Sequence, residues 1–466
     1  MGDACVFLPE YEKAADKVLC DVPCSGFGII GRKPEIRYKD IAIIDNLLPV
    51  QYNILANAAK YVKSGGTLVY STCTLSRAEN EGVCEKFLGN NAEFRKISFN
   101  TIIPTENGGD INCSIRENLI LSKTDIRSLS LSELTEKTVS MGLPKYRAGQ
   151  IYSWLNEKGA VSFDDMTNIG KQLRKTLDDE FYICNCKIDT KLVSQKDDTV
   201  KYLFDLSDGE YVESVVMKYK YGYTICISTQ LGCKMGCSFC ASAIGGFKRH
   251  LRPSEMLSEV ITAQNDLGIR ISHIVLMGTG EPLDNYDNVM KVLSLVTDEN
   301  GLNISMRHIS LSTCGIVPRI YDLAEKRLGL TLSVSLHAPN DSIRSRSMPV
   351  NLKWNIEELL KACRYYTEVT SRRISFEYAM INGLNDSDEC ARELSSRLRG
   401  MLCHVNLIPV NNVRENNYVR SDRERLRSFS EILQKNGINV TVRRTLGSDI
   451  NASCGQLRAK KITDKN

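Results

Sequence analysis

The chain has 466 residues, 42% of them hydrophobic, with 60 basic and 56 acidic side chains for a net charge of +4. This is globular composition and excludes a fibrous or mainly disordered protein. At ~150 residues per domain it predicts about three domains. No apolar run approaches the ~20 residues of a membrane helix. Met1 to Lys13 holds no basic stretch followed by an apolar one, so the sequence reads as cytoplasmic. Residues 1–120 carry a net −2 and the rest +6, which permits RNA binding without demanding it. Seventeen cysteines in such a chain predict reduced thiols, metal ligands or catalytic groups, not a disulfide framework.

In chain order, residues 1–110 read as part of an α/β domain. Lys17 to Asp21 is a strand and Val22 to Gly26 a loop. Residues 39–63 have helical spacing that Pro49 divides, and Gly65-Gly66 stops the helix. Thr67 to Thr72 is a strand and Glu79 to Leu88 a helix. Residues 104–123, with Pro104 and Gly108-Gly109, form a linker. Residues 124–186 form a small helical module that opens with a capping box at Ser130-Leu-Ser-Glu133.

From 187 the period changes to two. Lys201 to Leu206 and Tyr211 to Met217 bracket Ser207-Asp-Gly-Glu210, a hairpin signal. Over 231–445 strands alternate with helices. The strands fall at His273–Met277, Ile309–Ser312, Leu332–Leu336, Ser375–Met380, His404–Ile408 and Asn439–Arg443. Such alternation implies a parallel sheet, open or closed as a barrel. The tail, 446–466, is polar and is expected to be mobile except where Cys454 is held.

The most specific signal is Cys233-Lys-Met-Gly-Cys237-Ser-Phe-Cys240. Three thiolates at spacings of four and three share a tight loop with Gly232 and Gly236. They can hold three irons of a 4Fe–4S cluster and leave the fourth open. An open iron within reach of S-adenosylmethionine supports reductive cleavage of that cofactor. A zinc site with Cys226, Cys184 or Cys186 as fourth ligand is the alternative.

The spacing resembles the signature of the radical S-adenosylmethionine superfamily, and Met277-Gly-Thr-Gly-Glu-Pro-Leu283 resembles its GGEP segment. The match narrows to the RlmN/Cfr methyl synthases of ribosomal RNA over residues 122–460. Thr224 to Cys233, Gly245 to Arg249, Leu311 to Gly315, Ser333 to Asp341, Asn406 to Asn411 and the tail Cys454-Gly-Gln-Leu457 carry it. The fold this implies is α/β: a partial (βα)6-type radical S-adenosylmethionine barrel over 223–445, behind a β-hairpin extension at 187–222.

The resemblance also implies roles. Cys454 carries a methyl group taken from one S-adenosylmethionine. A second, bound at the cluster of Cys233, Cys237 and Cys240, yields the radical that activates that methyl group. The methyl carbon then adds to an adenine, Glu213 accepts the proton lost from the ring, and Cys226 releases the product as a disulfide forms with Cys454. Cofactor contacts carry over to Gly280, Glu281, Ser312, Ser335, Leu336, His337 and Asn411. The substrate is C2 of a 23S rRNA adenine at the peptidyl-transferase centre and the anticodon-adjacent adenine of tRNA, with C8 of the rRNA adenine as the alternative. A flavodoxin or ferredoxin would supply electrons to a monomer. Lys248, Arg249, Arg252, Arg344, Arg346, Arg372, Arg373, Arg443 and Arg444 are RNA-contact candidates. Cys314, Cys363, Cys390 and Cys403 have no motif and read as ordinary residues.

Residues 1–110 resemble a different family, the RsmB-type rRNA cytosine-C5 methyltransferases. Asp21-Val-Pro-Cys-Ser-Gly26, Arg32 to Arg37, Gly65 to Thr74 and Glu79-Asn-Glu81 carry this match. It implies that Cys73 attacks the cytosine and Cys24 aids release. The upstream cofactor-binding strand of such Rossmann-like folds is absent from the match, and no closing strand is evident after residue 100. An incomplete, inactive fragment is therefore expected.

Overall fold

The computed structural model describes residues 4–27, 30, 33–91, 93–101, 115–121, 123–243, 245–410, 418–444, 446–450, 452, 457 and 461. The chain divides into two compact units, residues 1–125 with 167–182, and residues 126–166 with 183–466.

In the first unit β1 (Ala15–Asp21) lies parallel to β2 (Val62–Thr72), with α1 (Ile43–Lys60) connecting them. Pro49 does not divide α1. It removes one N–H bond, while half-buried Leu48 and buried Gln51, Leu55 and Ala58 continue one stripe across it. Gly65-Gly66 does not stop the helix either, because both residues lie inside β2. A Cβ on Gly66 would sit 2.9 Å from the Asp16 carbonyl, so the glycine serves the close approach of β1. After α2 (Val83–Asn90), β3 (Phe94–Thr101) and β4 (Ile115–Leu121) complete the sheet in the order β1-β2-β4-β3, with β4 antiparallel to both neighbours. The expected linker is thus in part a central strand. Its polar Arg116-Glu-Asn118 core concealed it; residues 102–114 and 122 lie outside the described residues. The short β5 (Thr124–Asp125) follows.

Next, α3 (Leu131–Ser140) and α4 (Tyr146–Asn156) belong to the second unit, while α5 (Lys171–Glu180) and β6 (Phe181–Tyr182) belong to the first, β6 pairing with β5. The predicted capping box at Ser130 and Glu133 is formed.

The second unit contains one ten-stranded sheet. Antiparallel β7 (Lys187–Val193), β8 (Val200–Asp205) and β9 (Tyr211–Tyr219) lead into β10 (Gly222–Cys226). The short strands β11 (Gln230–Leu231) and β12 (Arg249–His250) bracket the cysteine loop. Then α6 (Pro253–Leu267), β13 (Ile271–Leu276), α7 (Tyr286–Thr297), β14 (Ile309–Thr313), α8 (Val317–Glu325), β15 (Thr331–Ser335), α9 (Asp341–Ser347), α10 (Ile356–Thr370), β16 (Ile374–Met380), α11 (Asp388–Leu398), β17 (Cys403–Pro409), α12 (Arg423–Lys435) and β18 (Asn439–Val442) complete the alternation. β10 and β13 to β18 run parallel, and the six expected strands are β13 to β18.

Alternation along each strand sends side chains to opposite faces. Leu311, Leu332, Val334, Phe376, Val405 and Leu407 pack outward under the helices in one core. Ser312, Ser335 and Glu377 face inward, onto the cavity.

Candidate active site

The C-terminal ends of parallel strands open onto one rim, where a βα architecture places its ligand groups. A cavity of about 310 Å³ lies there. Cys233, Cys237 and Cys240 line it together with Gly280, Glu281, Ser312, Ser335 and His337. The loop that presents the thiols depends on Gly232, which has φ +77° and whose Cβ would fall 1.6 Å from the Gly246 carbonyl oxygen. Burial pushes the Cys233 thiol up to about 12, and Cys237 moves the same way for the same reason. Such thiols become thiolates by binding metal. Three thiols presented by one loop suit a cluster that spreads three thiolates over three irons.

Glu281 is buried beside the thiols, and burial raises its pKa. Its Oε2 accepts the Cys314 N–H at 2.7 Å and its Oε1 the Leu283 N–H at 3.0 Å. Gly278 and Gly280 act locally. A Cβ on Gly278 would meet the Ile227 carbonyl at 2.6 Å, and one on Gly280 would meet Gln230 Cβ at 2.6 Å. The glycines therefore let the strand end pack against the segment after β10. His337 has φ +56°, and its Nδ1 accepts the Ala379 N–H at 2.9 Å. Burial, then nearby Arg344, pulls this imidazole down to about 3, so it is neutral. Leu336 is a core side chain that does not line the cavity; its N–H donates to the Glu377 carbonyl. Asn411 and Cys454 lie outside the described residues.

Glu213 and Cys226 are set apart from that cavity lining but share one face of the sheet. Cys226 pairs with Val215 across β10 and β9, and Glu213 is two residues further along β9. Lys201 also pairs with Val215, from β8, and its Nζ lies 3.0 Å from the Glu213 carboxylate. These two side chains are 0% and 3% exposed. The lysine and the carboxylate form a buried ion pair.

Several lining residues fall outside the expected cofactor contacts. Met277, Cys314, Glu377 and Arg443 line the cavity. Cys314 is therefore more than an ordinary buried thiol. Glu377 accepts from Ser375 Oγ and Asn406 Nδ2, both at 2.8 Å. Only the inward period of Ser375-Phe-Glu377 could have pointed to it.

A relative from Alkaliphilus oremlandii, a probable dual-specificity RNA methyltransferase RlmN, is 54% identical over 342 residues, covering 73% of this chain and 99% of that protein. The chain belongs to the RlmN family of radical S-adenosylmethionine RNA methyltransferases. An RlmN relative from Lachnospira eligens is 52% identical over 73% of this chain and 97% of its own length. The crystal structure of a radical SAM methyltransferase from Sphaerobacter thermophilus is 42% identical, with TM-score 0.69, over 72% of this chain and 98% of that one. The family model for the radical SAM superfamily matches residues 227–394, and that for the ribosomal RNA large subunit methyltransferase N-terminal domain matches 124–183. The model for the 16S rRNA methyltransferase RsmB/F matches residues 5–115. As RlmN-family enzymes do, the protein uses a 4Fe–4S cluster and S-adenosylmethionine.

Within this RlmN framework one RNA-contact candidate is corrected. Arg344 is fully buried. Its guanidinium donates to the carbonyls of Cys314 (2.6 Å), Ser335 (3.1 Å) and Leu336 (3.1 Å) and so ties the strand ends together. Arg249 and Arg252 pair with Glu255, and Lys248 with Glu210. Arg346, Arg373, Arg443 and Arg444 are exposed.

In the RsmB/F-like unit, parallel β1 and β2 bring Cys24 and Cys73 together at their ends, Sγ to Sγ 2.9 Å. Burial, then the bond to Cys73, pushes the Cys24 thiol up to about 12.

Gly232→Ala tests the cysteine loop. A side chain there meets backbone that has no room to give, so reconstituted protein loses most of its iron and its visible absorbance. Full iron content would contradict the geometry.

Proposed function

We propose that the protein methylates C2 of a 23S rRNA adenine at the peptidyl-transferase centre and of the anticodon-adjacent adenine of tRNA. The observation that carries this reading is the joint lining of one cavity by three cysteines and by Glu281, Ser312, Ser335 and His337, in a chain 54% identical to an RlmN relative. Bound there, the cluster and S-adenosylmethionine supply a carbon-centred radical able to take hydrogen from a methyl group.

The chain's own residues do the rest. Cys233, Cys237 and Cys240 hold the cluster. Gly280, Glu281, Ser312, Ser335, His337 and Asn411 position the cofactor, and Leu336 contributes only through the backbone it shares with Ser335 and His337. Cys454 carries the methyl group as a thioether, which places a carbon beside a ring position too electron-poor for direct displacement. Glu213, paired with Lys201, takes the proton lost from the adenine. Cys226 as thiolate attacks the Cys454 sulfur; the S–S bond forms, the S–C bond breaks, and the carbon leaves with the bonding pair and takes a proton to become the methyl group of the RNA. The adenine must be turned out of its stack to reach the site, which unpaired loops allow at least cost. The enzyme works in the cytoplasm as a monomer, with a flavodoxin or ferredoxin as electron source.

Incubating the reduced, cluster-loaded protein with methyl-deuterated S-adenosylmethionine and digesting it tests this reading. The label is expected on the peptide holding Cys454. Label on another cysteine, or on none, overturns it.

The RsmB-like fragment, residues 1–110, takes no part in this chemistry, and its Cys24 and Cys73 are inactive. RlmN relatives match over 342 residues, 99% and 97% of their own length, so deleting residues 1–118 leaves adenine methylation at the full-chain rate. Loss of turnover with an intact cluster would overturn that assignment.

A further inference from the structure

The tail was expected to be mobile, yet two carboxylates exchange hydrogen bonds between it and the β7–β8 connection, residues 194–199. Asp449 accepts from Ser194 Oγ at 2.7 Å and from the Gln195 N–H at 2.8 Å. In the opposite direction Asp197 accepts the Gly447 N–H at 2.9 Å. The receiving connection is itself braced. Ser194 Oγ accepts the N–H groups of Lys196 and Asp197 at 3.1 and 3.2 Å, and Asp197 accepts the Thr199 N–H at 3.0 Å. Gly447 turns the tail against it with φ +59°, where a Cβ would lie 2.5 Å from Ala452 Cβ and 3.0 Å from Thr199 Cγ2. The Gly447 carbonyl closes the turn by accepting from Ile450 and Ala452.

A second anchor lies further along the tail. Lys461 Nζ sits 3.0 and 3.1 Å from the two carboxylate oxygens of Asp189 and 5.6 Å from the Tyr211 ring centroid. The register relates the two anchors to the site. Thr199 leads into Val200, which pairs with Val216, while Asp189 sits in the bulge beside Thr190, whose partner Leu203 pairs with Glu213. At ~3.3 Å per residue the anchors are about 15 Å apart along the strands. The Lys201–Glu213 ion pair lies between them. In sequence, Cys454 lies between them too.

We infer that Asp449, Asp197 and Asp189 form a two-point clamp on the tail, and that they are positioning residues for methyl transfer by Cys454. The inference rests on Cys454 as methyl carrier. Fixing both ends of its segment raises the frequency with which the thioether meets the adenine and the resolving thiol, and small displacements of a reacting group cost rate steeply.

The experiment uses the full, cluster-loaded chain with unmodified rRNA, in three variants: Asp449→Ala, Asp197→Ala and Asp449→Asn. The two alanine variants are expected to lose about 100-fold in kcat, the scale of a displaced reacting group, with KM for RNA and cluster absorbance unchanged. Asp449→Asn, whose amide oxygen still accepts from Ser194 and Gln195, recovers most of the rate. A second readout is the rate at which the thiol oxidant diamide closes a Cys226–Cys454 disulfide, the two thiols giving two electrons and two protons to the oxidant. It slows in both alanine variants. Wild-type kcat and disulfide rate in both would overturn the clamp, as would a loss confined to KM, which would make these carboxylates part of the RNA surface. Should Asp449→Ala fail to fold, Lys461→Ala puts the same question at the other anchor. Full turnover by Cys454→Ala would instead overturn the methyl-carrier reading, whatever the carboxylates do.

Discussion

Replacing Cys226 with alanine is expected to leave the substrate RNA covalently joined to the protein. Cys226 ends β10, is buried, and pairs with Val215 on one side and Val275 on the other. That position shares the face on which Lys201 and Glu213 meet. Release from Cys454 needs a second sulfur to attack the first, and exchange proceeds only where the attacking thiolate has access. Alanine fills the strand position without strain, so the earlier steps run and the last does not. Free methylated RNA falls by several orders of magnitude, while a denaturing gel shows an RNA–protein band that protease removes. Free product without such a band would assign resolution to another group.

Replacing Lys201 with methionine is expected to cost about 3–5 kcal/mol of stability, because it leaves the Glu213 carboxylate buried without its cation. Water cannot compensate at a site this enclosed. The cost belongs to the orphaned charge and not to the lysine itself. A double variant, Lys201→Met with Glu213→Gln, should therefore recover much of it, as contacting residues are non-additive. Urea unfolding of the four proteins measures the cycle. Simple additivity would mean that the two side chains do not interact as the structure places them.

Much of this architecture was legible beforehand, and for physical reasons. Each strand from β13 to β18 joins a two-residue apolar period to a following helical period, and that switch survives in a single sequence. The cysteine loop announced itself because metal ligation demands fixed spacing. What was hidden depends on register or on distant backbone. Lys201 and Glu213 meet only because β8 and β9 pair so that Lys201 faces Val215. Arg344 reads as a surface cation until three strand-end carbonyls surround it. Cys314 and Glu377 carry no motif; the strand ends bring them to the cavity. Pro49 looked like a helix breaker because its missing N–H is local information, whereas the stripe that carries α1 past it is not. Asp449 stands in a polar tail and gains meaning only opposite Ser194 and Gln195.

Nucleoside mass spectrometry tests the central claim most directly. The full chain, loaded with its cluster under anaerobic conditions, would be given reductant, S-adenosylmethionine and rRNA from cells that do not modify the target adenine. The account predicts 2-methyladenosine. The appearance of 8-methyladenosine or 5-methylcytidine in its place would contradict it, the first by moving the reacting carbon and the second by moving the chemistry to Cys24 and Cys73.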